Sequence, residues 1–472
     1  MSGNRGVLAR AERDSAVDLM IIGAGQAGIP LAHALAKESW RVMIAERKDP
    51  GGSCVNFGCT PTKAAIASAR VAQLARRAGE FGVRIPRMSV DFAAVLGRAR
   101  GIAAQSRIAL RESLVHVHGG NPAYVRGHAR FLGRAGRLFR LGIGERVVLA
   151  RQVVLDTGTR TLVPRGLGLE KVDYLHAGNW LDRPALPAHV VVIGGSYVGL
   201  EMSQFYRRMG SRVTLLERGA RLADREDEEV SRALRGFLEC EGITCRLRAS
   251  VTRVAKTRGG VTVSFREGGR RQTVTASHVF LAAGRLPNTD DLGLSKIGLG
   301  RERDGTLWTD GRLRTRVRGV WAAGDIRGGP MFTSTAWDDF RILRSQLLGD
   351  GTRTTARIVP WAVYTDPQLG RVGLSEEEAR RRGIRVRVGR FSMSKNGKAR
   401  EIGEPEGFVK ILVDPKTKKL LGATVLAADG AELVHVFLAL MNAGARISAL
   451  RDAIVIHPTL TEALQSAAAA LG

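Results

Sequence analysis

One short pattern, present twice, limits what this chain can fold into. Val17-Asp-Leu-Met-Ile-Ile22 reads as a buried strand running into Gly23-Ala-Gly25-Gln-Ala-Gly28; a helix to Lys37 follows, then a second strand over residues 41–45 that ends at Glu46. Residues 189–193, the turn Gly194-Gly195-Ser196-Tyr197-Val198-Gly199, a helix to Met209, a strand over residues 212–216 and Glu217 repeat that order. In both copies the acid stands 23 residues after the first glycine. Each part has a physical reason. The first glycine allows the tight turn, the second lets backbone approach a pyrophosphate, the third lets helix and strand pack closely, and the acid accepts hydrogen bonds from a ribose. The helix N-terminus turns free N–H groups toward the phosphates. In the second copy Ser196 stands where the first has Gly25, so that turn is not built on three glycines in the usual spacing. Two Rossmann-like dinucleotide-binding units are predicted.

The four cysteines form two pairs of equal spacing, Cys54 with Cys59 and Cys240 with Cys245. Cys240 and Cys245 flank Gly242, where a helix gives way to a strand, and both are expected to be small core side chains. Cys54 and Cys59 lie in Gly51-Gly-Ser-Cys-Val-Asn-Phe-Gly-Cys-Thr-Pro-Thr-Lys63, a glycine-rich turn feeding a helix over residues 60–78. Zinc would need two further ligands, and no other Cys or His is near this pair, so no metal site is expected and redox chemistry is. Two dinucleotide sites beside one redox pair imply electrons passing from one dinucleotide through the other to sulfur.

A chain of 472 residues suggests about three domains at roughly 150 residues each. After each βαβ unit comes a strand-rich stretch that returns to a short apolar strand ending in glycine, at Gly158 and at Gly284, which argues for internal duplication. From Ile358 onward strands and helices mix differently, as in a separate α+β domain. No apolar run approaches the ~20 residues that cross a bilayer. Arg10, Glu12, Arg13 and Asp14 do not read as a secretory leader, and a cytoplasmic protein is expected. Lys plus Arg number 73 against 45 Asp plus Glu, a net charge of +28, and only 12 of the basic residues are lysine. The arginines are scattered, without a basic tail or interleaved aromatics, so they read as a solvated basic surface rather than a nucleic-acid site.

Further motifs follow in order: Gly284-Arg-Leu-Pro-Asn288, Val320-Trp-Ala-Ala-Gly-Asp325, Tyr364-Thr-Asp-Pro367, and His457-Pro-Thr459 with Glu462. With both fingerprints and the Cys54/Cys59 motif, the chain resembles, from about Val17 to Leu471, the FAD-dependent pyridine nucleotide-disulfide oxidoreductases, and most closely the mercuric-reductase-like flavoproteins. The resemblance implies an α/β fold with an FAD domain over residues 17–160 and 289–350, an NAD(P)H domain over 161–288, and a C-terminal α+β dimerisation domain over 356–472. It implies that Gly23, Gly25, Gly28 and Glu46 hold the ADP part of FAD, that Gly52, Ser53, Lys63, Gly158, Gly284 and Asp325 line the rest of the cofactor, and that His128 and Ala129 form the adenine-side loop. Gly194, Gly195, Gly199 and Glu217 are implied to bind NADH or NADPH, with Tyr197 as an aromatic gate and Lys63 and Glu201 paired near the flavin. Cys59, at the helix start where the dipole favours a thiolate, is expected to face the flavin, and Cys54, in the looser turn, to exchange with substrate. His457, oriented by Glu462, is implied to serve as base for the other subunit of a homodimer.

The sequence departs from mercuric reductases in having no cysteine after Cys245 and in carrying His457 where they usually have Tyr. It shares His457-Pro-Thr-Leu-Thr-Glu462 with dihydrolipoamide dehydrogenase, the alternative reading. The substrate stays open among disulfides, small oxidants and metal ions. Glu217 favours NADH by bonding the 2′-hydroxyl, while Arg218 and Arg221 leave NADPH possible.

Overall fold

The computed structural model describes residues 16–471, so the stretch from Arg10 to Asp14 lies outside it. The chain divides into two compact units, the first built from residues up to 62, 97–162 and 284–357, the second from 63–96, 163–283 and 358 onward.

In the first unit Val17–Ile22 lies at the centre of a parallel sheet, with Met20 opposite Met43 on Val42–Glu46 and opposite Val153 on Arg146–Leu155. Leu19, Met20 and Ile21 are wholly buried, as a strand covered on both faces must be. The helix Gly28–Lys37 lays Ile29, Leu31, Ala32 and Leu35 against one face, beside Ile342 and Leu343 of Thr333–Leu348. Arg146–Leu155 does two jobs. Its first half pairs antiparallel with Leu138–Ile143, and its second half pairs parallel with Val17–Ile22 and Val320–Ala322. That second half and the hairpin Ala129–Ala135/Leu138–Ile143 bury Phe131, Phe139, Leu141 and Leu155 on the other face. Each such side chain contributes about 1.5–3 kcal/mol by leaving water.

The second unit repeats the plan. Arg212–Leu216, His189–Ile193 and His278–Leu281 form a parallel sheet extended by Thr244–Arg246 and Leu175–His176. Its strand-rich insertion differs from the first unit's: Ala249–Thr257, Gly260–Glu267 and Arg270–Ala276 make a separate antiparallel sheet. The C-terminal part is a five-stranded antiparallel sheet in the order Pro360–Val363, Gln368–Gly373, Leu420–Ala427, Phe408–Val413, Arg387–Ser392. Gly430–Asn442 and Glu462–Ala469 pack Val434, Phe437, Leu464 and Ala467 onto it.

Two expectations need correction. Cys245 is buried, but Cys240, on the last turn of Glu228–Cys240, is exposed, so only one of that pair is a core side chain. Cys54 does not lie in a loose turn. Gly52–Asn56 is a short helix, opened by Gly51 in the left-handed region (φ 100°), where a side chain would be strained.

Candidate active site

The first fingerprint forms a cradle with no room for side chains. A Cβ on Gly25 would lie 2.6 Å from Asp156 Oδ2, and one on Gly28 2.6 Å from the Gly23 carbonyl. At the end of the second strand, Glu46 is held by backbone: Oε2 accepts the Ala24 N–H at 2.9 Å and Oε1 the Lys48 N–H at 2.8 Å. The Gly127 N–H bonds the Glu46 carbonyl at 2.9 Å, which brings His128 and the buried Ala129 to the same strand end. His128 Nε2 lies 3.1 Å from the Asp291 carbonyl. Asp325 accepts the Thr159 hydroxyl at 3.0 Å and faces Arg285 Nε at 3.6 Å, while Arg285 Nη2 reaches Ser53 Oγ at 3.5 Å. Gly158 is fixed by the Asn288 N–H on its carbonyl at 3.0 Å, and Gly284 by the Leu162 N–H at 2.9 Å. These residues fit FAD: a side-chain-free turn at a helix N-terminus for the pyrophosphate and a fixed acid at the strand end for the ribose. Arg285 and Thr159 were not among the predicted site residues; Arg285 carries a signal, its place directly after Gly284 in Gly284-Arg-Leu-Pro-Asn288.

The cysteine segment is tied to that cradle. The Gly51 N–H bonds the Ala24 carbonyl at 2.8 Å, Gln26 Nε2 bonds the Gly51 carbonyl at 3.0 Å, and a Cβ on Gly52 would lie 3.4 Å from Gly25 Cα. Between the helix with Cys54 and the helix Cys59–Arg77, Gly58 makes the sharp return: its N–H bonds the Ser53 carbonyl at 2.6 Å, and a Cβ there would strike that oxygen. Cys59 is the first residue of its helix. Its Sγ lies 3.4 Å from Oγ1 of Thr333, itself the first residue of Thr333–Leu348. Two helix N-termini therefore meet at this sulfur and favour negative charge on it. Thr333 was not singled out from sequence, since 274 residues separate it from Cys59. The Cys245 thiol is different: burial pushes it up to about 12, with Glu239 adding to the shift.

In the second unit a Cβ on Gly199 would lie 1.8 Å from the Gly194 carbonyl, so helix and turn touch there. Glu217 accepts the Gly195 N–H at 2.7 Å and the Gly219 N–H at 2.6 Å. Arg221 is already engaged: both terminal nitrogens hold Glu377 at 2.7 Å. The Tyr197 hydroxyl donates to Glu226 Oε1 at 2.7 Å, which also accepts Trp361 Nε1 at 2.9 Å, while Arg371 Nε lies 2.9 Å from Oε2. Burial, then Glu226, hold the Tyr197 phenol well above its ordinary range. Lys63 Nζ donates to both oxygens of the buried Glu201, at 3.0 and 2.9 Å, and Glu201 also accepts the Tyr364 N–H at 2.9 Å.

His457 is exposed, and its Nδ1 lies 2.8 Å from Glu462 Oε1; the other oxygen of Glu462 accepts the Thr459 N–H at 2.8 Å. Nε2 is thus the ring nitrogen left to work on a proton. Among the described residues three carboxylates converge at Asp227, Glu229 and Glu376, and Lys410 Nζ sits among them, 2.6 Å from Glu229, so the cluster is an ion-paired one.

Two dinucleotide folds, a cysteine pair bound to the first and a histidine–glutamate couple in an α+β C-terminal domain define an oxidoreductase that joins nucleotide to sulfur. Residues 17–339 match the pyridine nucleotide-disulphide oxidoreductase family and residues 359–468 its dimerisation domain, and the chain belongs to that family. Family members use FAD and NAD(P)H. The chain is 34% identical over 458 residues to a dihydrolipoyl dehydrogenase of Chlorobaculum tepidum, covering 96% of each. It is 31% identical over 450 residues to the probable pyridine nucleotide-disulfide oxidoreductase RclA of Escherichia coli, covering 94% of this chain and 97% of that one. Among solved structures it is similar to the Cu(II) complex of the HOCl-induced flavoprotein disulfide reductase RclA from Escherichia coli, at TM-score 0.85 and 30% identity, over 96% of this chain and 99% of that one. LpdA from Mycobacterium tuberculosis, at 24% identity and TM-score 0.87 over 97% and 100% of the two chains, shares the fold. Among the described residues no helix is long and apolar enough to cross a membrane.

Proposed function

We propose that this chain takes two electrons from NADH, stores them on the Cys54–Cys59 pair and delivers them to a small oxidant, disulfide or metal ion, in the manner of mercuric-reductase-like enzymes and as a homodimer. The observation that carries the reading is the attachment of the cysteine segment to the first fingerprint, through the Gly51 N–H on the Ala24 carbonyl and Gln26 on the Gly51 carbonyl. Sulfur is thereby fixed beside a dinucleotide turn. Bound FAD supplies two-electron transfer between nicotinamide and sulfur, chemistry that no side chain offers.

In this reading Gly23, Gly25, Gly28 and Glu46 hold the ADP half of FAD, His128 and Ala129 flank its adenine, and Gly52, Ser53, Gly158, Gly284, Arg285 and Asp325 hold the remainder. Gly194, Gly195, Gly199 and Glu217 hold NADH, and Tyr197 shields the nicotinamide position. Lys63, oriented by Glu201, stabilises negative charge on the reduced cofactor. Cys59 faces the cofactor and Cys54 exchanges with substrate. His457 takes and returns the thiol proton, with Glu462 fixing its tautomer. The domain boundaries expected from sequence, 17–160 with 289–350, 161–288 and 356–472, are kept in this reading, with Gly284 and Arg285 reaching FAD from the end of 161–288. NADH is favoured over NADPH because Glu217 would repel a 2′-phosphate and Arg221 is engaged by Glu377.

A dihydrolipoyl dehydrogenase is the second reading, favoured by the 34% identity to the Chlorobaculum tepidum enzyme. One assay separates them: NADH and NADPH oxidation with Cu(II), Hg(II), hypothiocyanous acid, glutathione disulfide and lipoamide. The proposal expects turnover with a small oxidant or metal ion to exceed that with lipoamide. Turnover led by lipoamide, with dihydrolipoamide reducing NAD+ in reverse, selects the second reading.

A further inference from the structure

The residue after the strand that returns beside the first strand differs between the two βαβ units. Arg146–Leu155 runs into Asp156-Thr157-Gly158, while His278–Leu281 runs into Ala282-Ala283-Gly284. The backbone does the same work in both. The carbonyl of Asp156 lies 2.2 Å from where a Cβ on Gly23 would fall, and that of Ala282 lies 2.4 Å from the matching point on Gly194. The second unit therefore places a methyl where the first places a carboxyl.

That carboxyl is only 7% exposed and is enclosed by glycines: a Cβ on Gly25 would meet Oδ2 at 2.6 Å, and one on Gly324 would meet Oδ1 at 3.1 Å. Oδ2 accepts the N–H of Gly28, the first residue of the helix Gly28–Lys37, at 2.8 Å. Oδ1 receives no hydrogen bond from any described residue. The charged groups facing Asp156 are acids: Asp325, Asp339 and Glu46. The nearby cations are spent on those acids. Arg285 lies 3.6 Å from Asp325, and Arg327 and Arg357 hold Asp339 at 3.0 and 2.6 Å; Glu46 takes the N–H groups of Ala24 and Lys48. Burial pushes the Asp156 carboxyl well above the usual carboxylate range, the Gly28 N–H opposes it, and the acids add to the rise.

A dinucleotide places its pyrophosphate against such a glycine turn and helix N-terminus. An ionised Asp156 there would repel that phosphate, whereas the neutral acid can donate to it. We propose that Asp156 is the neutral acid in the FAD-bound enzyme and donates its O–H from Oδ1 to the FAD pyrophosphate, so that FAD binding takes up a proton from solvent wherever the FAD-free carboxyl is ionised. The proposal rests on the reading of the first unit as the FAD site. The sign follows from linkage. The phosphate charge raises the Asp156 carboxyl further, so affinity is highest where the FAD-free protein already holds the proton. The dissociation constant for FAD then rises with pH, by up to about tenfold per pH unit, between the free and bound pKa values.

The test is FAD release from the full-length holoenzyme, followed by flavin fluorescence from about pH 5 to about pH 9, with calorimetric titration of FAD in two buffers of different ionisation enthalpy. The expected wild-type result is a dissociation constant that climbs with pH above the pKa of the FAD-free carboxyl and, over the same range, a buffer-dependent heat that approaches one proton taken up. Asp156→Asn keeps an acceptor for the Gly28 N–H and a donor on the other side but cannot titrate, so its affinity is expected to be flat and its proton uptake nil. A flat wild-type profile without buffer-dependent heat overturns the proposal, as does uptake that persists in Asp156→Asn. If that variant does not fold, the wild-type calorimetry decides alone. Failure to bind FAD at any pH overturns the cofactor reading itself, whereas binding without proton uptake overturns only the role of Asp156.

Discussion

His457 is useful as a base only if its imidazole titrates where the enzyme works, and Glu462 controls that. The hydrogen bond and charge of Glu462 raise His457 above its ordinary range, while the Thr459 N–H, then His457, lower Glu462. A raised histidine stabilises the folded protein at pH below its unfolded pKa, and that contribution is lost as pH rises through the folded value. Glu462→Gln keeps the acceptor but removes the charge, so the His457 pKa falls. The limb of the kcat/KM profile that requires neutral imidazole should move to lower pH. A pH–rate series checks this, and a limb that stays in place assigns the titration to another group. Nucleotide choice belongs to the same scale. Glu217 should give NADH at least about a tenfold advantage, about 1.4 kcal/mol in kcat/KM. Glu217→Ala should narrow that gap, and adding Glu377→Gln should narrow it further by releasing Arg221. Wild-type kinetics favouring NADPH would refute the assignment.

Elements whose cause is local were legible in the sequence. Both βαβ units occur within a residue or two of their expected limits, because the glycines and the apolar period that specify them lie within about 30 residues. Gly199 is the tightest of these determinants. Gly199→Ala places a methyl against the Gly194 carbonyl, which forces helix and strand apart. We expect lost NADH binding and about 1–3 kcal/mol of destabilisation by denaturant titration, with FAD content unchanged. Elements specified by distant contacts were not legible. In Phe92–Val115 the buried Leu96, Ala99, Ala103 and Leu114 are separated by arginines and small residues, which blurs the helical period. Thr333–Leu348 reaches Cys59 from far along the chain, so nothing near either residue announces their contact. Asp156 had a readable signal, an acid closing an apolar strand where its repeat has Ala282, visible only when the two copies are aligned. Cys240 was misread because a helix end offers a buried and an exposed side, and the apolar neighbours do not say which one a cysteine takes.

At the scale of the whole molecule, not every basic side chain belongs to the solvated surface. Arg371 is paired with Glu226, Arg208 with Glu241 and Asp366, and Lys410 with three carboxylates, all at buried positions. The apolar exposure beside His457 has a different meaning. Ile454 is fully exposed and Ile456 is 79% exposed, an arrangement that costs free energy in water and suits a surface covered by a second copy, consistent with a dimerisation domain over residues 359–468. If the working site pairs the Cys54–Cys59 segment of one subunit with His457 of the other, His457→Ala should slow turnover of the oxidant by roughly 10²- to 10⁴-fold while reduction of the bound flavin by NADH stays nearly intact. Subunit mixing is the sharper measurement. Cys54→Ser homodimers should be inactive and His457→Ala homodimers nearly so, but a heterodimer holds one site with both lesions and one with neither. Activity should therefore return toward half the wild-type value per heterodimer as subunits exchange. Heterodimers shown by mass to form without recovered activity would place His457 at its own subunit's site or in a purely structural role.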